Sequence, residues 1–362
     1  MRLKGKRAQA NLSASGRRHP VWRLWALVVV AMLAAVVTVV AHPLLSNRRQ
    51  TSSVATTTPA RSSSKHPPPS LAANAPRPRS VNPATDGRSG LVTEAHTVSV
   101  DGVQRTYRSI VPVQLTDRVP LLIVLHGRGQ SGTAAVSQTG FLGLVAQRRA
   151  VLVVPDSEQP SWNAGHGCCG TAGSRRTADV PFVAAIVADV VRRWPIDAGR
   201  VYLVGYSNGG KLAYSEVCAH PTLFAAVATY GAVPLSPCTP GTPAVSFLLA
   251  AGSADSVLPF HGKPGGRPPL PSVPEALGWL RAQDGCQALE QTAQDGSAVV
   301  QRWSRCAGGT EVESVVYPGH GHAWPTAGAS GGSSAVGTLM WAFLSRHVVR
   351  TVPAAAQVPV RP

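Results

Sequence analysis

Acidic residues are scarce in this 362-residue chain: 17 Asp and Glu stand against 34 Lys and Arg, a formal net charge of +17. An excess of that size points to a polyanionic partner until it is divided along the chain. Residues 1–92 hold 14 Lys and Arg and one acid, Asp86, whereas residues 93–362 hold 20 and 16. The body is therefore only weakly basic, and it lacks the basic stripe with interleaved aromatics of a nucleic-acid surface. No nucleic-acid partner is expected. Cysteine is absent before Cys168, so no thiol follows the apolar leader to carry a lipoprotein anchor. No internal repeat divides the body.

What is present begins with that leader. Leu24–Ala41 is 18 residues without a charge, preceded by seven Lys and Arg and followed by Arg48 and Arg49. The positive flank places the N-terminus in the cytoplasm and the rest outside. The length lies between a long signal-peptide core and a short membrane span. Small residues at Val39-Val40-Ala41 favour cleavage after Ala41, which yields a secreted protein. Retention instead leaves an N-terminal anchor, the one membrane contact expected. Of residues 51–90, 20 are Ser, Thr or Pro, without apolar periodicity. Such a segment buries too little surface to offset its ordering entropy. The chain thus divides into a basic leader (1–45), a linker (46–90), a folded body (91–350) and a Pro/Ala-rich tail (351–362).

All six cysteines lie in that body, and an even count in an exported domain suggests disulfides. Cys286 and Cys306 flank an expected hairpin and form the best local pair. Adjacent Cys168 and Cys169 are expected to take different partners. Neither His166-x-Cys168-Cys169 nor His320-x-His322 has a common zinc spacing, and no metal is expected.

Short apolar runs at Leu121–Leu125, Val151–Val154, Val201–Val204, Ala225–Tyr230 and Val245–Ala251 read as strands buried on both faces. Helical spacing recurs over Ala134–Arg149, Val180–Trp194, Val273–Ala282 and Ala335–His347. An opening hairpin turns at Asp101-Gly102, and further strands are expected at Val299–Trp303 and Val312–Tyr317. This alternation specifies an α/β fold with a mostly parallel sheet covered on both faces.

The segment Gly205-Tyr206-Ser207-Asn208-Gly209 stands between the Val201–Val204 strand and a helix start at Gly210. A serine on a sharp strand-to-helix turn is forced into the open, and glycines two residues away on each side permit the turn. The pattern recurs at Gly328-Ala329-Ser330-Gly331-Gly332, but no strand precedes it there, so Ser330 reads as loop. A serine hydroxyl needs a base to take its proton and a third group to hold that base. In this arrangement the chain order is Ser, acid, His. Asp255 follows the Val245–Ala251 strand, where a loop carboxylate can reach the rim of a site. His322, in the loop before the last helix, is the candidate base, with His320 as its rival. Two backbone N–H groups must face the developing oxyanion. They are assigned to Asn208, after the nucleophile, and to Arg128 in the glycine-rich loop His126-Gly127-Arg128-Gly129, with Gly129 as the fallback. Trp162 and Trp324 are candidate walls of the substrate pocket.

Taken as a set, Leu125-His126-Gly127, Trp162-Asn163-Ala164-Gly165 with Cys168-Cys169-Gly170, Asp179-Val180-x-Phe182, the Ser207 turn, Gly252-x-Ala254-Asp255-x-x-Leu258-Pro259, Cys306-Ala307-Gly308-Gly309 and Gly321-His322-Ala323-Trp324-Pro325 are specific. Through them the chain resembles the exported esterases of the polyhydroxybutyrate depolymerase, feruloyl esterase and acetylxylan esterase group. The match covers roughly residues 94–348. The resemblance implies an α/β-hydrolase fold, a Ser207-Asp255-His322 triad and hydrolysis of carboxylic esters through an acyl-enzyme. The substrate would be a small or polymer-linked ester, with no cofactor, and the protein would be a monomer. This sequence departs from the group at His320, where glycine is usual, and in having no visible polymer-binding module. An acyltransferase or peptidase on the same fold, or an inactive surface-binding protein, are the competing readings.

Overall fold

Eleven strands join into one sheet in the computed structural model, which describes residues 84–86, 90–328, 332 and 335–349. The leader, most of the linker, Ser330 and the tail lie outside the described residues. In chain order the strands are β1 (Ala84–Asp86), β2 (Leu91–Val100), β3 (Val103–Pro112), β4 (Val119–Leu125), β5 (Val151–Pro155), β6 (Ile196–Tyr206), β7 (Ala226–Tyr230), β8 (Ser246–Gly252), β9 (Gln291–Asp295), β10 (Ala298–Trp303) and β11 (Val312–Tyr317). The helices are α1 (Gly132–Thr139), α2 (Leu142–Ala146), α3 (Gly170–Arg175), α4 (Asp179–Arg193), α5 (Asn208–Ala219), α6 (Val273–Gln283) and α7 (Val336–Leu344).

The spatial order is β1-β2-β3-β5-β4-β6-β7-β8-β11-β10-β9. From β5 to β11 every neighbour is parallel. Antiparallel hairpins extend both edges. This is the α/β-hydrolase architecture expected. Side chains alternate across the strands as their period of two requires. In β4, Leu121, Ile123 and Leu125 pack with Phe182 and Ile186 of α4 and Leu212 of α5, and Leu122 and Val124 pack on the other face with Val145 of α2 and Met340 of α7. Both faces are covered, which is why these strands read as continuous apolar runs.

Two expectations are corrected. The helix over Ala134–Arg149 is two short ones, because Gly140 takes a left-handed conformation (φ 75°) that ends α1. Cys168 and Cys169 are bonded to each other. Cys218 is joined to Cys238 and Cys286 to Cys306, each across a separation of 20 residues, so the adjacent pair has no other thiol to meet. The Cys286–Cys306 bridge closes the β9–β10 hairpin as anticipated.

One buried ion pair ties the loops to this frame. Arg105 of β3 donates to Asp179 at 2.7 Å, and its guanidinium lies 4.1 Å over the Phe182 ring. The other oxygen of Asp179 accepts the Asn163 N–H at 2.7 Å. The head of α4 and the loop after Ser161 are thereby held to the same strand. Breaking such a pair costs about 3–5 kcal/mol, because one charge is left buried alone.

Candidate active site

The C-terminal ends of the parallel strands collect the predicted residues, as open α/β sheets generally arrange them. Ser207 follows β6 directly and begins α5, with φ 51° and ψ −115°. A non-glycine residue in this region is strained, and the surroundings must over-determine it. They do so by close packing. A Cβ on Gly205 would lie 2.5 Å from the Gly209 carbonyl oxygen, one on Gly209 would strike the Leu125 and His126 carbonyls, and one on Gly210 would lie 2.5 Å from the Ala232 side chain. The Ser207 N–H also donates to the Tyr230 carbonyl at 3.0 Å, which pins the turn to β7.

Asp255 stands three residues beyond β8. Its Oδ1 accepts the N–H groups of Val257 (2.8 Å) and Leu258 (2.7 Å), and its Oδ2 faces His322 Nδ1 at 2.7 Å. Burial alone would raise this carboxyl group's pKa. The bonds from His322, Leu258 and Val257 outweigh it and hold the value below the ordinary aspartate range. An ionised carboxylate can only accept, so His322 Nδ1 carries the proton. In the neutral ring Nε2 then accepts the Ser207 hydroxyl, 2.8 Å away. The Asp255 side chain is 1% exposed and that of His322 18%, so the acid is sealed while the base remains reachable. His320, the rival base, instead bonds the Ala323 carbonyl through Nε2 at 2.8 Å.

The loop after β4 supplies the other side. His126 Nδ1 donates to the Gly127 carbonyl at 2.8 Å, and its Nε2 accepts the Ser157 N–H at 3.2 Å, which fixes the neutral tautomer. Burial lowers its pKa in keeping with that state. The Gly127 N–H donates to Gln130 Oε1 at 2.9 Å and that of Gly129 to the Pro160 carbonyl at 2.7 Å. The Arg128 and Asn208 N–H groups have no acceptor among the described residues. Gly129, the fallback donor, is thus already engaged.

Trp162 is corrected from pocket wall to buried brace. It has no exposed surface, its indole N–H donates to the His126 carbonyl at 2.9 Å, and its backbone is gripped from both sides by the Asn208 amide, at 2.6 and 3.1 Å. Trp324 is 6% exposed and packs edge-on against Tyr206 and Tyr230, both at 5.9 Å.

Two residues that position His322 are absent from the sequence reading. The Tyr206 hydroxyl donates to the His322 carbonyl at 3.0 Å, and that of Tyr230 to the Gly321 carbonyl at 2.7 Å. Both tyrosines end buried parallel strands, a placement that was available as a signal. Gly231 makes room for the imidazole: a Cβ there would sit 3.0 Å from its Cε1.

Known proteins similar to this chain are esterases. Residues 105–258 match the family described as esterase PHB depolymerase. The chain is 28% identical over 256 residues to a putative esterase, NocK, of Nocardia uniformis, covering 64% of this chain and 74% of that protein. It is 30% identical over 179 residues to a probable feruloyl esterase C of Aspergillus flavus, covering 48% of this chain and 61% of that protein. It is 25% identical over 257 residues to a bifunctional acetylxylan esterase/xylanase of Neocallimastix patriciarum, covering 68% of this chain and 34% of that protein. The chain therefore spans less than two thirds of the length of the latter two relatives. Among solved structures, an acetyl xylan esterase from Aspergillus awamori superposes with a TM-score of 0.52 at 14% identity, over 70% of this chain and 99% of that one.

Proposed function

We propose that this chain, which belongs to the esterase PHB depolymerase family of α/β-hydrolases and is a carboxylic ester hydrolase, works through a Ser207-His322-Asp255 triad and an acyl-enzyme. The single observation that carries this reading is the continuous relay from the Ser207 hydroxyl through both ring nitrogens of His322 to Asp255. Ser207 Oγ attacks the ester carbonyl while His322 Nε2 takes its proton. His322 then returns that proton to the leaving alcohol, and water releases the acyl group by the same steps in reverse. Asp255, held ionised, stabilises the imidazolium and keeps the tautomer. The N–H groups of Asn208, at the head of α5, and of Arg128 face the oxyanion, where a missing donor costs about 10²–10³ in rate.

The protein acts outside the cytoplasm. The bridging of all six cysteines supports this. So does the uncharged apolar run Leu24–Ala41 behind a basic N-terminal segment. Among the described residues no helix is long and apolar enough to cross a membrane. Its substrates are feruloyl or acetyl esters of polysaccharide or short hydroxyalkanoate esters, in keeping with the names of its relatives.

The test is hydrolysis of p-nitrophenyl esters of increasing acyl length and of methyl ferulate by the full chain with its cysteines oxidised. Ser207→Ala is expected to abolish turnover without unfolding the protein. A folded wild type that releases no acid, or only transfers the acyl group to an added alcohol, overturns the hydrolase mechanism.

A further inference from the structure

Ser207, Lys211 and Ser215 are spaced four residues apart and so lie on one face of α5 and its entry. Beyond Ser207 this face forms the floor of a cavity of about 430 Å³, roofed by Gly165 and His166 on one side and by Leu235 and Ser236 on the other. Both roof segments start at the active site. The first follows Trp162, which the Asn208 side chain grips, and the second follows Gly231, which adjoins the His322 ring. His166 Nε2 and Ser236 Oγ join them at 2.9 Å. A second cavity of about 490 Å³ shares His166 and Leu235 with the first and is bordered by Arg267.

The charges here are one-sided. Neither cavity is lined by an Asp or Glu. Lys211 is half-buried, yet no carboxylate among the described residues pairs with it, and desolvation lowers its pKa from the lysine value. Every other buried or half-buried cation near this end of the sheet has a partner: Arg105 has Asp179 and Arg108 has Asp156. A desolvated ammonium without a counter-ion is unfavourable, and an incoming carboxylate would remove that penalty.

We propose that the Lys211 cavity, continued toward Arg267, is an anion-recognition subsite, and that the ester cleaved at Ser207 carries a carboxylate seated there. The backbone geometry sets the distance: Lys211 is one helical turn, about 6 Å, beyond Ser207. The carboxylate therefore lies several atoms from the scissile carbonyl, on its acyl or its alcohol side. This selects acidic esters from the classes proposed above and rests on the esterase reading.

Two isosteric pairs test it with the full chain: 3-carboxyphenyl butyrate against 3-carbamoylphenyl butyrate, and phenyl hydrogen adipate against phenyl adipamate. In at least one pair kcat/KM for the carboxylate is expected to exceed that for the carboxamide by about tenfold or more, the size of a charge-assisted hydrogen bond. Lys211→Met brings that ratio close to one, Lys211→Arg retains most of it, and Arg267→Ala, at an exposed position, lowers it in the same direction. Ratios near one in both pairs for the wild type, or a ratio indifferent to Lys211→Met, overturn the subsite. Cleavage of the carboxamide esters tests the esterase reading separately. If none is cleaved, calorimetric titration of adipate into Ser207→Ala decides the subsite alone. Binding that disappears in Ser207→Ala/Lys211→Met upholds it, and no binding to Ser207→Ala overturns it.

Discussion

A buried aspartate sits at each end of β8, and the two are in opposite electrostatic states. Asp255, beyond the C-terminal end, is 5% exposed, and Asp284, against the N-terminal end, is 2% exposed. Burial pushes both pKa values up. At Asp255 two backbone N–H groups and His322 more than reverse it. At Asp284 the Thr310 hydroxyl and the Val245 N–H, 3.2 Å from Oδ1, do not, and its pKa is pushed up to about 7, with Oδ2 lacking a hydrogen-bond partner. Hydrogen bonds together with the neighbouring imidazole, against similar burial, separate a carboxylate held below the ordinary range from one pushed up to about 7. The disulfides follow the same division. Cys168–Cys169, in the loop that follows Trp162, joins neighbours, whereas Cys286–Cys306 closes a 20-residue separation beside Asp284.

The sharpest way to break this contrast is at the site end. His322→Ala is expected to lower kcat by about 10⁴–10⁶, and Asp255→Asn by about 10⁴, because an amide favours the wrong imidazole tautomer. His320→Ala should cost less than about tenfold. Steady-state assays on one p-nitrophenyl ester rank the three, and a large loss at His320 alone would reassign the base. At the far end, Cys286→Ser with Cys306→Ser should lower unfolding free energy by about 3 kcal/mol, whereas Cys168→Ser with Cys169→Ser should lower it far less, since joining neighbours removes little unfolded-chain entropy. Urea titration of both double variants reads the difference.

The smaller effects are in pH dependence. Asp284 has a folded pKa of about 7, above its unfolded value of 3.8. Its contribution is therefore fully present below about pH 4 and is lost as pH rises through 7. Asp284→Asn should flatten that loss and gain on the order of 2 kcal/mol at pH 8 relative to wild type, measured by denaturation at pH 5 and 8. Asp255 has the opposite sign. Its folded value lies below 3.8, so its contribution is present above about pH 4 and disappears as pH falls further. Asp255→Asn should remove that acid-side loss. Identical pH profiles for both variants would show that the two ends of β8 are not electrostatically distinct.

Much of this was legible before the fold was known, for a local reason. Apolar runs, helical periods and the Gly205–Gly209 turn act over a few residues, so the parallel strands and the exposed Ser207 can be read from the chain. Asp255 and His322 were readable because strand order places successive loops at one end of the sheet. Long-range packing decided the rest. Nothing within a few residues of Trp162 says that the Asn208 amide will bury it. Nor does any spacing say that Cys168 will meet Cys169 once the other four cysteines are paired. Residue order alone thus determined the architecture and which serine, aspartate and histidine are the candidates for nucleophile, acid and base, because these depend on periodicity and sequence direction. Only the tertiary structure decided which oxygens and nitrogens meet, which carboxylates stay charged and that Lys211 has no counter-ion among the described residues, because hydrogen-bond satisfaction and desolvation are set by neighbours far away in sequence.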